Sequence, residues 1–285
     1  DGLRRIEVDD QFQLVPHALD AAIAADVRAG ARPIAVVATI GTTSTTSVDP
    51  VQPILEIART YGLWLHVDAA YAGPTAMLPE YGDTFAGWDG ADSIVVNPHK
   101  WLFTPFDLSA FFCRRMNVVR QAFSVVPEYL RTAEAATGVR NLMDTGIQLG
   151  RRFRSLKLWM LLRHVGAERL RALLREHIRL AGLFAGWVDA HPDFERLAPV
   201  PFSVVCFRAV PAGTSWDEAR LDAFNQRLVD AVNAEGDVFL SHTRLGGRLV
   251  LRLAIGNLRT TEVHVTRAWD SLQRHAAALS RLDPP

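Results

Sequence analysis

Pro33-Ile34-Ala35-Val36-Val37-Ala38-Thr39-Ile40 is a continuous apolar run, closed by Gly41-Thr42-Thr43-Ser44-Thr45-Thr46-Ser47, a glycine followed by hydroxyl residues. A strand buried on both faces of a parallel sheet reads this way, and the segment after it reads as a loop at the strand's carboxyl end. Upstream, Pro16 to Ala29 places Leu19, Ile23 and Val27 at helical spacing, with Pro16 near the start and Gly30 just past the end. Downstream, Val51 to Tyr61 predicts a helix ending at Gly62, and Trp64-Leu65-His66-Val67 predicts the next strand. Ser93-Ile94-Val95-Val96 and the stretch from Ser109 to Cys113 add two more strands. Strand, loop, helix and strand in alternation predict an α/β fold: a mostly parallel sheet covered by helices.

From Phe153 the pattern changes. Leu156, Trp159, Met160 and Arg163 open a long helical stretch that runs to His191 and is interrupted at Gly166. Ser203 to Arg208 predicts a strand and Trp216 to Glu235 a helix. Val238 to Thr243 and Arg248 to Leu253 predict two strands about Gly246-Gly247, and a last helix runs from a Thr261 cap to about Arg281. The chain therefore divides into a larger sheet-bearing part, residues 1–155, and a smaller C-terminal α+β domain, residues 156–285.

The 285 residues carry 31 basic and 31 acidic side chains, and a zero net charge gives no reason to expect nucleic acid or an anionic membrane as partner. The two cysteines, Cys113 and Cys206, are far apart and each sits in an apolar strand-like run, which reads as two buried free thiols in a reducing compartment. No apolar stretch approaches the roughly 18 residues of a membrane span and no signal peptide opens the sequence, so the expectation is a cytoplasmic protein.

Ligands of open α/β sheets bind beyond the carboxyl ends of the strands, where Thr42, Thr43, Asp68, Asn97, His99 and Lys100 all fall. Lys100 follows Val95-Val96-Asn97-Pro98-His99 and precedes Trp101-Leu102-Phe103, apolar bulk that would desolvate its amine and lower its pKa. Asp68 ends an apolar strand and would be costly to bury alone. A helix cap or a metal ligand are its alternatives. Ala69 and Ala70 weigh against both, since small side chains suit a flat ring near the backbone and no His or Cys cluster has metal-site spacing. A lysine and a carboxylate so placed meet the needs of pyridoxal phosphate: the amine holds the cofactor aldehyde as a Schiff base, and the carboxylate keeps the pyridine nitrogen protonated.

These residues resemble the group II pyridoxal-phosphate-dependent decarboxylases, and among them the aromatic L-amino acid decarboxylases, over nearly the whole chain. The resemblance rests on Thr39-Ile40-Gly41-Thr42-Thr43, His66-Val67-Asp68-Ala69-Ala70-Tyr71-Ala72-Gly73, Asn97-Pro98-His99-Lys100-Trp101, Phe106-Asp107 and Leu149-Gly150-Arg151-Arg152-Phe153-Arg154-Ser155-Leu156-Lys157. It implies the fold type I, aspartate aminotransferase-like architecture, with residues 1–155 as the C-terminal part of the large cofactor-binding domain. It assigns Lys100 to cofactor attachment, Asp68 to the pyridine nitrogen, and Ala70 and Thr43 to the neighbourhood of the ring. Asn97 and His99 match positions around the cofactor phosphate. Tyr129, in Val126-Pro127-Glu128-Tyr129-Leu130, matches a loop tyrosine that returns a proton to Cα after carbon dioxide leaves; relatives with phenylalanine there tend toward an aldehyde product.

Decarboxylation of tryptophan, tyrosine, dopa or phenylalanine to the amine is thereby implied, with no metal. An aldehyde synthase, a decarboxylase of a non-aromatic amino acid and a non-catalytic half of a split enzyme are the alternatives. Gly150 leaves room for an indole, while phenolic substrates stay open. Roughly the first two-fifths of the family's usual chain has no counterpart here, and that part normally supplies a dimerisation segment and the loop that holds the phosphate. The expected partners are therefore a small amino acid substrate and either a second copy or a chain that supplies the N-terminal half. Alone, the chain should expose apolar sheet surface.

Overall fold

The structure is a computed structural model, and it describes residues 2–124 and 142–282. Its first region runs α1 (Pro16–Arg28), β1 (Ala35–Thr39), α2 (Val51–Thr60) and β2 (Trp64–Asp68), then short 3-10 turns between Gly73 and Gly90, then β3 (Ser93–Val96), β4 (Ala110–Cys113) and α3 (Met116–Phe123). The strands form one sheet in the order β1-β2-β3-β4. The first two pairings are parallel, with Val37 beside His66 and Thr39 beside Asp68, and β4 returns antiparallel to β3. The carboxyl ends of β1, β2 and β3 consequently share one edge.

One face of this sheet is closed. Val36, Ala38, Leu65 and Val67 point to it and pack with Ile54, Leu55 and Ala58 of α2 and with Leu19 and Ile23 of α1. The other face departs from the expected two-sided burial. The Pro33–Ile40 run alternates only from Ala35 onward: Ile34 and Ala35 are both exposed, and Val37 is 56% accessible between buried Val36 and Ala38. Phe111 of β4 is 50% accessible beside His66. Among the described residues no helix covers these side chains, so the apolar run records a contact that the described residues do not make.

The second region comprises α4 (Arg154–Val165), α5 (Ala167–Ala190), β5 (Phe194–Arg196), β6 (Val204–Ala209), α6 (Glu218–Glu235), β7 (Ser241–Leu245), β8 (Arg248–Ala254) and α7 (Glu262–Leu282). Gly166, at φ +78°, separates α4 from α5 as the sequence predicts. The strands form an antiparallel sheet in the order β5-β6-β8-β7. α5, α6 and α7 bury Phe184, Phe224 and Leu272 against Phe207 and Leu251 on one face of it.

The other face carries Val204, Cys206 and Val250 and packs on Phe12 and Tyr71 of the first region, so β6 is buried at every position. β7 starts later than the predicted Val238. The Asn233 side chain takes both the Leu240 N–H, at 2.7 Å, and the Leu240 carbonyl, at 2.9 Å, which ties the chain to the end of α6 before it can join the ladder. α5 serves both cores, with Leu174 in the first and Leu180, Phe184 and Val188 in the second.

Both cysteines are free. Cys206 is buried, and burial pushes its thiol up to about 11. Cys113 is half-buried rather than buried, because β4 is the sheet's edge strand. Among the described residues no helix is long and apolar enough to cross a membrane.

Candidate active site

Three loops leave the shared edge of the first sheet. The loop after β1 begins at Gly41, where φ is +86° and a Cβ would stand 2.7 Å from the Cβ of Ala72, so glycine alone fits. Thr42 then closes the turn, its hydroxyl bonded to Ser47 at 2.8 Å and Thr45 at 3.1 Å. Thr43 at the apex is exposed, and its carbonyl accepts from Arg252 Nη2 at 2.8 Å. Ser44 is held by the second sheet as well. Its carbonyl accepts from Arg252 Nε at 2.9 Å and from Cys206 Sγ at 3.2 Å, and its hydroxyl meets Thr243 at 2.9 Å.

Asp68 ends β2 on the open face, in line with His66 and Trp64. One carboxylate oxygen accepts the Ala70 N–H at 2.9 Å, and among the described residues the other has no hydrogen-bond partner. Ala70 is itself buried and its carbonyl accepts the Asn97 N–H at 3.0 Å, which fastens the loop after β2 to the loop after β3. His66 shares a hydrogen bond with Ser93 Oγ at 2.8 Å, and burial lowers its pKa against the opposing pull of the Asp68 charge.

In the loop after β3, the Lys100 N–H donates to the Asn97 carbonyl at 2.8 Å and the Asn97 side chain accepts from Ser109 Oγ at 2.6 Å. Asn97 thus closes the turn that presents Lys100. His99 Nδ1 lies against the Leu108 backbone, 2.5 Å from its carbonyl oxygen and 3.1 Å from its nitrogen. The Lys100 side chain is exposed and meets no carboxylate among the described residues. It lines a recess of about 410 Å³ with His99, Phe103, Thr104 and the segment Gly256-Asn257-Leu258-Arg259. Asp68 is not among the residues that line this recess; its carboxylate faces the open side of the sheet. Lys100 and Asp68 belong to adjacent loops of one edge, and the described residues do not enclose the space beside them.

Among the described residues the site accordingly has a lysine without a salt-bridge partner, a carboxylate with one oxygen capped by backbone and one free, and a small buried residue, Ala70, whose backbone ties their two loops together. A cationic ring nitrogen would satisfy the free oxygen through a charge-assisted hydrogen bond, so the residues fit the ring of pyridoxal phosphate. No group of three or more potential metal ligands occurs among the described residues.

Two other quoted motifs also meet in space. Asp107 pairs with Arg154 through two contacts of 3.2 Å, which lowers the aspartate's pKa, and Lys157 Nζ donates to the Pro105 carbonyl at 2.7 Å. Gly150 is exposed with open space around its Cα, and Tyr129 lies outside the described residues.

Sequence reasoning missed Arg252 and His177. Each carried a signal: Arg252 is a charge inside the apolar strand Leu249-Val250-Leu251-Arg252-Leu253, and His177 interrupts the apolar face of α5 between Leu174 and Ala181.

Comparison with known proteins finds relatives in both sequence and fold. A Phenylacetaldehyde synthase of Arabidopsis thaliana is 44% identical over 269 residues, which are 94% of this chain and 54% of that protein. Tyrosine decarboxylase 2 of the same plant is 42% identical over 286 residues, 99% of this chain and 52% of that protein. The crystal structure of Oryza sativa TDC with PLP and tryptamine superposes with a TM-score of 0.91 at 36% identity, covering 97% of this chain and 57% of that one. The chain thus spans about half the length of the curated relatives it matches. The family model described as the pyridoxal-dependent decarboxylase conserved domain matches residues 2–210, which include all three loops of the site, and the chain belongs to that family.

Proposed function

We propose that this chain is the lysine-bearing part of a pyridoxal-phosphate-dependent carboxy-lyase that converts an aromatic L-amino acid to its amine and carbon dioxide. The observation that carries the proposal is the Asp68 carboxylate: one oxygen is capped by Ala70, and among the described residues the other is left for a ring cation, one loop away from a Lys100 that meets no carboxylate there. Similarity to relatives named Tyrosine decarboxylase and Tryptophan decarboxylase, the latter TDC2 of Camptotheca acuminata at 40% identity, supports the aromatic substrate class.

When bound, pyridoxal phosphate supplies the electron sink into which the bond from Cα to the carboxylate breaks. The chain's residues do the rest. Asp68 would hold the proton of the ring nitrogen, and the small Ala70 would leave room for the ring beside the backbone. Thr43, Asn97 and His99 would set the cofactor's surroundings, and the Lys100 amine would hold the cofactor and take part in releasing the product. Tyr129 returns a proton at Cα. A second copy, or a chain supplying the remaining part of the large domain, covers the open sheet face and completes the site. The outer surface of α4 supports that partner, since it buries none of its side chains although it carries Leu156, Trp159, Met160 and Leu162. We place the protein in the cytoplasm.

The test is to treat the protein with pyridoxal phosphate, reduce with borohydride and map the modified peptide, then assay carbon dioxide and amine from each aromatic amino acid. Modification at Lys100 with stoichiometric amine supports the proposal. Absence of a cofactor adduct at Lys100 in the complete assembly would refute it. The similarity to Phenylacetaldehyde synthase favours a second reading, an aldehyde synthase, which the same assay separates by oxygen uptake, ammonia and peroxide.

A further inference from the structure

Both loops that would flank the cofactor place an aromatic residue directly after the residue that faces it: Tyr71 after Ala70 and Trp101 after Lys100. The two rings lie on each other with centroids 4.8 Å apart and planes 2° from parallel, so the stack fixes one loop against the other. Each ring also has a polar tip anchored outside the first sheet. The Tyr71 hydroxyl bonds Ser203 Oγ at 2.6 Å, and Ser203 in turn donates to the Ile255 carbonyl at 2.6 Å. The Trp101 indole N–H donates to His177 Nδ1 of α5 at 3.0 Å.

His177 stands where the apolar face of α5 calls for leucine or phenylalanine, and it is 1% accessible. An indole nitrogen can only donate, so Nδ1 must be the accepting nitrogen and the proton sits on Nε2. Burial lowers the ring's pKa and holds it in this neutral form. Nε2 is buried without a well-formed hydrogen bond and approaches the backbone of Asn257, which together with Gly256 and Leu258 forms the far wall of the Lys100 recess. The near wall includes Phe103, whose ring meets His177 edge-on at 5.6 Å and 87°. His177 therefore sits behind both walls of the recess. It touches the Trp101 and Phe103 side on one flank and the Asn257 side on the other.

We propose that His177 is a positioning residue for Lys100. By accepting the Trp101 indole proton it fixes the rotation of the indole, and through the stack on Tyr71 it fixes the spacing between the Lys100 loop and the Asp68–Ala70 loop. An apolar ring of the same size would fill the volume without setting that rotation. The proposal builds on the cofactor role assigned to Lys100 above, but its geometry does not depend on that role.

Three substitutions in the intact protein separate the contributions. His177→Phe keeps the bulk and removes both nitrogens. His177→Asn places a carbonyl oxygen where Nδ1 accepts from Trp101. His177→Gln reaches the Nε2 position and leaves the indole unpaired. The first readout needs no cofactor: the rate of Lys100 labelling by trinitrobenzenesulfonate, followed by peptide mapping. The second is the concentration of pyridoxal phosphate that gives half-maximal borohydride trapping on Lys100.

His177→Phe and His177→Gln should speed labelling about fivefold and raise the half-trapping concentration about tenfold, with His177→Asn within threefold of the wild type on both. Equal loss of melting temperature in all three variants, with labelling and trapping within twofold of wild type, would reduce His177 to an ordinary core residue and overturn the proposal. If His177→Phe does not fold, equal labelling in the Asn and Gln variants overturns it. If the wild type itself traps no cofactor, the cofactor role of Lys100 fails, while the labelling ratios still decide the role of His177.

Discussion

The two sheets of this protein are built from similarly apolar strands and end in opposite situations. β6 is buried at all six positions, with the α5, α6 and α7 layer on one side and the first region on the other. β1 alternates buried with exposed, and its open face presents Val37 and, across the sheet, Phe111 to solvent. The second sheet supplies its own cover. The first does not, and its open face is the one toward which Asp68 points. The core that supplies stability and the site proposed for chemistry therefore lie in different parts of the chain, and substitutions should separate them.

The largest effect on stability is expected in the closed sheet. Phe207 is fully buried between Phe184 and Phe194, at ring-centroid distances of 5.1 and 6.4 Å. Phe207→Ala should cost about 3–5 kcal/mol, read as a shift in the urea midpoint at unchanged slope. Phe111→Ala on the open face should cost less than about 1 kcal/mol in the chain alone and far more once a partner covers it. Equal losses at the two positions would break the comparison.

Next is the carboxylate on the open face. Asp68→Asn retains the size of the side chain and its bond from Ala70 while removing the charge proposed to hold a ring proton. Loss of a charge-assisted bond of about 1.5–3 kcal/mol corresponds to a roughly 10- to 150-fold fall in turnover, with the chain's own stability little changed. An Asp68→Asn enzyme that turns over at the wild-type rate would remove Asp68 from the site.

The fold and the site were legible in the sequence to different depths. Gly41, Gly62 and Gly166 mark where strands and helices stop, and the loop residues after each strand could be gathered on one edge because parallel topology leaves them no other place. The same residues did not reveal that one sheet face is bare. An apolar run reports that side chains are meant to be covered, and it carries no record of which chain does the covering. Arg252, Ser203 and His177 were hidden for another reason. They reach the loops from more than 70 positions away in sequence, as in the Trp101–His177 pair at a separation of 76, and although the local pattern marks Arg252 and His177 as out of place, it does not say which loop they touch.

A smaller effect comes from acid. Burial lowers the pKa of both His66, on the open face, and His177, between the two regions. The folded chain then binds fewer protons than the unfolded chain below about pH 6.5, so the contribution of each histidine is complete above that pH and is lost as pH falls toward the folded-state value. For His177 the slope approaches about 1.4 kcal/mol per pH unit. A partner that covers the open face should deepen the burial of His66 and steepen the loss in the assembly without altering the His177 share. Stability that stays flat from pH 7.5 to 5.5 in both His177→Asn and the wild type would contradict this assignment.

A change of about 1 kcal/mol, opposite in sign to the others, is expected in the loop that presents Thr43. Thr46 is a β-branched residue at φ +57°, a left-handed conformation that favours glycine, and its hydroxyl is buried without a hydrogen-bond partner among the described residues. Both features disfavour the folded state, whereas the methyl group, 2% accessible with the rest of the side chain, favours it. Relief of the backbone and of the desolvated hydroxyl should outweigh the lost methyl and the greater chain entropy of glycine, so Thr46→Gly should stabilise the chain by about 1 kcal/mol in urea unfolding. A destabilised Thr46→Gly would mean that the second region, through Arg252 and Cys206, holds the loop so firmly that the threonine conformation costs nothing further. The closed sheet would then govern the geometry of the open one.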